Sequence, residues 1–102
     1  MDENELSARM AADLAEIARM HMPFGKFGPA NFPPLGVPIY DLPAEYLGYF
    51  QAKGFPKGRL GELLRIVFQM KADGADSAFD VMRARAGGRH PLRHARRRKF
   101  EF

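Results

Sequence analysis

Four consecutive cations, Arg96-Arg97-Arg98-Lys99, with Arg93 just before them, are the densest concentration of chemistry in the 102-residue chain. Guanidinium forks match phosphate oxygens bidentately, and a row of them displaces counterions from a polyanion. These five residues are the primary candidate contacts to DNA or RNA, set against the plain alternative of a solvated terminal charge run. Phe24-Gly25-Lys26-Phe27-Gly28 interleaves rings, glycine and a cation as base-stacking surfaces do; the competing role is a packed hairpin whose rings enter the core. Lys57, inside Gly54-Phe55-Pro56-Lys57-Gly58, and the following Arg59 sit where backbone N–H groups at a helix start attract anions. The spacing and the lack of Ser or Thr exclude a Walker loop, and a tight turn between helices accounts for the same residues. Lys26, Lys57 and Arg59 are therefore secondary candidates.

Other chemistries find less. His90 and His94 have the spacing of helical metal ligands, but Pro91 opposes a helix and the neighbouring arginines repel a cation. Asp41 and Glu45 are the close carboxylate pair near a turn, a spacing that helix capping and the first-turn preference for acids explain. No Ser-His-Asp order stands out, and the absence of cysteine removes thiolate nucleophiles, thiolate metal sites and disulfides. The sequence predicts no catalytic residues, no metal and no cofactor.

The elements that must position these residues read as follows. Leu6, Met10, Leu14 and Ile17 recur at helical spacing, and Asp2 with Glu5 forms a capping box, predicting a helix over 4–20 that Pro23 ends. Residues 23–38 hold five of the eight prolines, so turns and short extended segments are expected, with strands at 23–27 and 37–40 forming a small hairpin around a long loop. A helix enters at Asp41-Leu42-Pro43 and runs to Gly54. The clearest amphipathic helix starts at Arg59, carries Leu60, Leu63, Leu64, Val67, Phe68 and Met70, and ends before Gly74. Asp76 is read as the cap of a last short helix, 77–85, closed by Gly87-Gly88. Beyond Gly88, alternation of Phe100 and Phe102 with charged residues is compatible with a strand pairing on the hairpin. The expected fold is α+β, one domain over 1–88 with a basic tail over 89–102, and a core of Leu14, Ile17, Phe24, Tyr46, Leu47, Phe50, Leu60, Leu64 and Val67.

The segments Met22-Pro23-Phe24-Gly25-Lys26, Asp41-Leu42-Pro43-Ala44-Glu45-Tyr46-Leu47 and Gly54-Phe55-Pro56-Lys57-Gly58-Arg59-Leu60-Gly61-Glu62-Leu63-Leu64, in this order, resemble an uncharacterised bacterial family labelled "putative quorum-sensing-regulated virulence factor". The resemblance covers about residues 22–75. The first two segments are also similar to the small C-terminal domain of exodeoxyribonuclease X-like proteins, where a MPFGK hairpin leads into a DLPxxYL helix. Here Phe27 is followed by an insertion, Gly28 to Gly36, that the compact versions lack. The first label implies a regulatory association and no chemistry; the second resemblance implies contact with nucleic acid.

Charge is distributed unevenly. The net +4 resolves into −3 over residues 1–20, zero over 21–80 and +7 over 81–102, so the basic pI belongs to the C-terminal fifth. The acidic start and the lack of a long apolar run predict a cytoplasmic protein without a membrane segment. The sequence thus points to a non-enzymatic nucleic-acid-binding accessory or regulatory domain. The alternative is a protein-interaction module or homodimer, using the Phe- and Pro-rich loop 27–40 or the acidic first helix.

Overall fold

In the computed structural model, which describes residues 2–90 and 92, the chain forms four α-helices and three 3₁₀ turns. Helix α1 spans Glu3–Arg19, α2 Ala44–Lys53, α3 Arg59–Ala72 and α4 Asp80–Arg85; the 3₁₀ turns are Gly25–Phe27, Ile39–Asp41 and Asp76–Phe79. The expected cap of α1 is present, with the Glu5 N–H donating to Asp2 Oδ1 at 2.8 Å. Helices α2 and α3 pack on each other, α1 packs on α3, and both α1 and α3 meet the Ile39–Asp41 turn. Gly61 lies so close under the Pro56 carbonyl that a β-carbon would overlap its oxygen, and this approach lets a five-residue connection fold α2 back onto α3.

The α+β expectation is overturned: among the described residues there is no strand, only an isolated antiparallel bridge, His21 to Pro38. The Met22 N–H donates to the Val37 carbonyl at 2.8 Å and the Ile39 N–H to the Met20 carbonyl at 3.1 Å, so a two-stranded pairing does begin. Proline stops it. Neither Pro23 nor Pro38 has an N–H to donate. On the outer side Gly36 takes a left-handed φ of 91° and turns its N–H to the Phe32 carbonyl. The segment expected as the first strand instead tightens into the Gly25–Phe27 turn.

The core is Ile17, Met22, Phe27, Phe32, Val37, Ile39, Tyr40, Leu42, Leu47, Leu63, Leu64, Val67 and Phe79. Ile17, Leu47, Leu64 and Val67 were expected there; Leu14, Tyr46, Phe50 and Leu60 pack against it partly buried. Phe24 is a correction, 46% exposed, because its extended backbone precedes the turn that sends Phe27 inward. Full burial of each large aliphatic side chain contributes about 1.5–3 kcal/mol, so the proline-rich segment supplies as much stabilisation as the helices do.

Two further expectations change. Asp41 does not cap α2, whose start at Pro43 has no side-chain cap, and Asp76 does not cap a helix either. Both carboxylates receive Arg83. Its Nε donates to Asp41 Oδ1 at 2.7 Å, Nη1 to Asp80 Oδ1 at 2.8 Å and Asp76 Oδ2 at 3.1 Å, and Nη2 to Asp76 Oδ1 at 2.9 Å and the Tyr40 carbonyl at 3.2 Å. All five guanidinium N–H groups are thereby used. The other Asp41 oxygen accepts the His90 N–H at 2.9 Å. Arg89 pairs with Asp76 and Leu92 packs on the core, so the chain is held to the body past Gly88.

Two measurements test this frame. Arg83→Met is expected to cost about 3–5 kcal/mol in urea unfolding, since Asp41 would be buried without a counter-charge, whereas Arg83→Met with Asp41→Leu recovers most of the loss. Hydrogen bonds from Arg83, with Lys71 adding to them against the cost of burial, hold the Asp76 carboxyl well below the usual aspartate range. Stability from those bonds is complete above the ordinary aspartate value and lost as pH falls through and below about 4. Melting temperature against pH should therefore decline there, and Asp76→Asn should flatten that decline while lowering stability at neutral pH.

Candidate functional site

The Gly25–Phe27 turn and the start of α2 enclose a depression of about 410 Å³ lined by Lys26, Phe27, Pro43, Glu45, Tyr46 and Tyr49. Residues 45, 46 and 49 share one side of α2 because a helix returns after three or four residues. The turn is held by the Gly28 N–H on the Gly25 carbonyl at 3.0 Å and by the Asn31 side-chain amide, which donates to the Lys26 carbonyl at 3.1 Å. Gly25 has φ 76°, and a β-carbon there would approach the Tyr46 hydroxyl at 3.2 Å, so glycine keeps this wall of the depression open.

Behind it runs a continuous aromatic chain. Phe27 meets Tyr46 edge to face with centroids 4.7 Å apart and stacks on Phe32 at 5.8 Å, and Phe32 meets the His90 ring at 5.7 Å. In the other direction Tyr46 contacts Phe50 at 5.1 Å, which stacks on Phe55 at 6.1 Å. The inserted loop therefore fills the space behind the depression: none of residues 28–36 lines it. The Phe- and Pro-rich loop buries Phe27, Phe32, Val37, Ile39 and Tyr40 and leaves Leu35 as its exposed large side chain.

Among the described residues, the Lys26 ammonium, the Glu45 carboxylate and the Tyr46 and Tyr49 hydroxyls have no hydrogen-bond or ion-pair partner; Lys26 Nζ lies 5.6 Å from the Phe27 ring centroid. Four other described cations, Arg59, Lys71, Arg83 and Arg89, are ion-paired. Arg59 Nη2 lies 2.5 Å from Asp13 Oδ1 and 2.8 Å from Glu16 Oε1, holding the Glu16 carboxyl below its usual range and joining α3 to α1. Lys71 pairs with Asp76 at 2.6 Å. Of the secondary sequence candidates, Lys26 lines the depression; Lys57, on the exposed turn between α2 and α3, and Arg59 do not. The primary candidates Arg93, Arg96, Arg97, Arg98 and Lys99, together with His94 and the strand expected at Phe100 and Phe102, lie outside the described residues.

Tyr46, Tyr49 and Glu45 were missed as site residues. Their signal was present, since Tyr49 and Glu45 fall off the apolar stripe of α2, but the partner surface comes from a turn twenty residues earlier. Arg83, counted with the basic tail, is buried. No cluster of three or more metal-ligating side chains occurs among the described residues.

A family model described as "putative quorum-sensing-regulated virulence factor" matches residues 10–82, which include both walls of this depression. The chain belongs to this family. Curated relatives are the uncharacterised protein YpeB of Escherichia coli K12 and its counterpart in E. coli O157:H7, each 45% identical over 62 residues, 60% of this chain and 76% of the relative. No solved structure matches. Neither the family description nor these relatives bear on the resemblance to exodeoxyribonuclease X-like proteins. The family span leaves out most of the exposed first half of α1 and the basic decapeptide 93–102.

The two partly buried phenols provide a readout. Burial pushes Tyr40 and Tyr46 above the ordinary tyrosine value, with the Asp41 charge adding to the first and Tyr49 to the second. The folded state therefore favours the protonated phenols, and their contribution is present below about pH 10 and lost as pH rises further. Spectrophotometric titration should show part of the phenolate signal delayed, and Tyr46→Phe should remove a share of that late component.

Proposed function

We propose that this family member is a non-enzymatic, nucleic-acid-binding accessory domain in which the C-terminal cations hold phosphates and the depression at Lys26 receives a base. Segregation of charge carries the reading. Of the 16 Lys and Arg and 12 Asp and Glu, residues 93–102 hold Arg93, Arg96, Arg97, Arg98 and Lys99 against Glu101, so the preceding residues carry eleven charges of each sign. An electroneutral body supplies little long-range field, and the whole net charge sits in ten residues. Beside it, the body offers exposed Tyr49, half-exposed Phe24 and the unpaired Lys26. Aromatic platforms with a cationic guide are how single strands are held without reading a duplex groove. The unmatched depression contains no nucleophile with an adjacent base, and a binding role fits its chemistry. Lys57 joins as a peripheral phosphate contact; Arg59 contributes mainly to the α1–α3 joint.

A second reading is favoured by one observation. Residues 2–12 of α1 are all exposed, and Leu6 and Met10, 50% and 56% accessible, continue the stripe that Leu14 and Ile17 bury. With Asp2, Glu3 and Glu5 around it, this face suits a basic amphipathic helix of a protein partner.

Salt titration of binding to single-stranded DNA and RNA decides between them. For the full chain, log K should fall steeply with log salt, at about 0.7 per phosphate neutralised. Replacing Arg96, Arg97, Arg98 and Lys99 together by Gln should remove about 3 units of that slope, while Arg59→Gln leaves it unchanged. A full chain that binds no strand at low salt would sink the proposal and leave the α1 surface as the interaction to pursue.

A further inference from the structure

Lys26 and Glu45 line one depression, yet their charged groups are not within ion-pairing distance of each other or of any other described residue. A cation on the Gly25–Phe27 turn and a carboxylate on α2 thus share one lining with the Tyr49 ring, which is 57% exposed, so a donor, an acceptor and a flat apolar surface meet in one depression. The carboxylate bars a phosphate from the same space by repulsion, so an entering group must present hydrogen-bond donors to Glu45 and an acceptor to Lys26. It must also be planar to use Tyr49.

The bases differ in how well they meet this demand. The Watson–Crick edge of guanine carries one acceptor, O6, followed by two adjacent donors, N1–H and N2–H. A carboxylate accepts both donors side by side, and the ammonium donates to O6. Cytosine gives the carboxylate one donor. Adenine places its ring acceptor next to its donor, and thymine or uracil flanks one donor with two acceptors, so each sets a lone pair against the carboxylate. From this geometry we infer that the depression is a guanine-selective site, with Glu45 accepting N1–H and N2–H, Lys26 donating to O6 and Tyr49 stacking on the base. This rests on the nucleic-acid reading above and adds the identity of the base.

The same edge occurs in a strand and in a free guanine nucleotide, and the test separates them. Anisotropy titrations would use the full chain with short thymidine oligomers carrying one central guanine, hypoxanthine, cytosine or adenine, with guanosine monophosphate as competitor. The guanine oligomer should bind about 5- to 10-fold tighter than the adenine one, the low end of what a bidentate base contact discriminates at an exposed site. Hypoxanthine, which lacks the N2 amino group, should lose most of that advantage. Glu45→Gln should level the guanine preference, read as the ratio of guanine to adenine affinity within the variant, and Tyr49→Ala should weaken binding of all the oligomers. Both side chains are exposed, and an unchanged melting temperature will confirm that each variant folds. Equal binding of all oligomers overturns the guanine assignment and leaves the nucleic-acid reading standing. Competition by the mononucleotide at the affinity of the oligomer supports the guanine site and overturns the strand-binding function. Absence of binding to every oligomer and to the mononucleotide overturns both.

Discussion

The position of the proline-rich segment depends on a single guanidinium. Arg83 comes from the short last helix and reaches Asp41 at the end of the irregular region, with side-chain exposures of 6% and 1%. Taking both charges out of water is expensive, and their attraction repays it only when every hydrogen-bonding position is filled. It is filled here: burial works against the charge on Arg83, but the bonds it donates to Asp76, Asp41 and Asp80 outweigh it and hold the guanidinium ionised beyond its ordinary range. The consequence lies two residues away. Asp41 is followed by Leu42, which is fully buried, and Pro43, from which α2 starts, so the pair sets where Glu45, Tyr46 and Tyr49 stand.

A second constraint comes from the opposite wall. Phe27 and Phe32 stack beneath the Gly25–Phe27 turn, and Tyr46 is wedged edge-on against Phe27. Two separate anchors, one ionic at Asp41 and one aromatic at Phe27, therefore fix the sides of the depression, while its Lys26 and Glu45 charges have no ion-pair partner among the described residues. Groups that a fold neither buries nor pairs are available for ligand contact at no cost to stability. The buried Arg83 and the paired Arg59 show the contrast: both are cations that composition alone would credit to a polyanion surface.

The division of charge has a mechanical meaning as well. A neutral body does not attract a strand from a distance, whereas a row of arginines does, over about a Debye length. Under the proposed function, long-range capture and short-range selection would be properties of different parts of one small chain. The family description names a factor that is itself regulated by quorum sensing and assigns it no chemistry.

Local information in the sequence was sufficient wherever the physics was local. The cap at Asp2, the helical stripes of α1 and α3, the stop before Pro23 and the turn at Gly54 to Gly58 all follow from neighbours within four or five residues. The segregation of charge and the absence of cysteine are also properties of the sequence alone. Tertiary structure alone decided the rest. The hairpin failed because Pro38 lies in the bridge itself, opposite His21, and Pro23 follows two residues later on the other arm, a register that neither arm reveals. Asp41, Asp76 and Arg83 looked like caps and a tail charge because the bonds that claim them span up to 49 residues. The candidate site shares that character, since Lys26 and Glu45 acquire a common purpose only when a turn and a helix are brought face to face by contacts elsewhere in the chain.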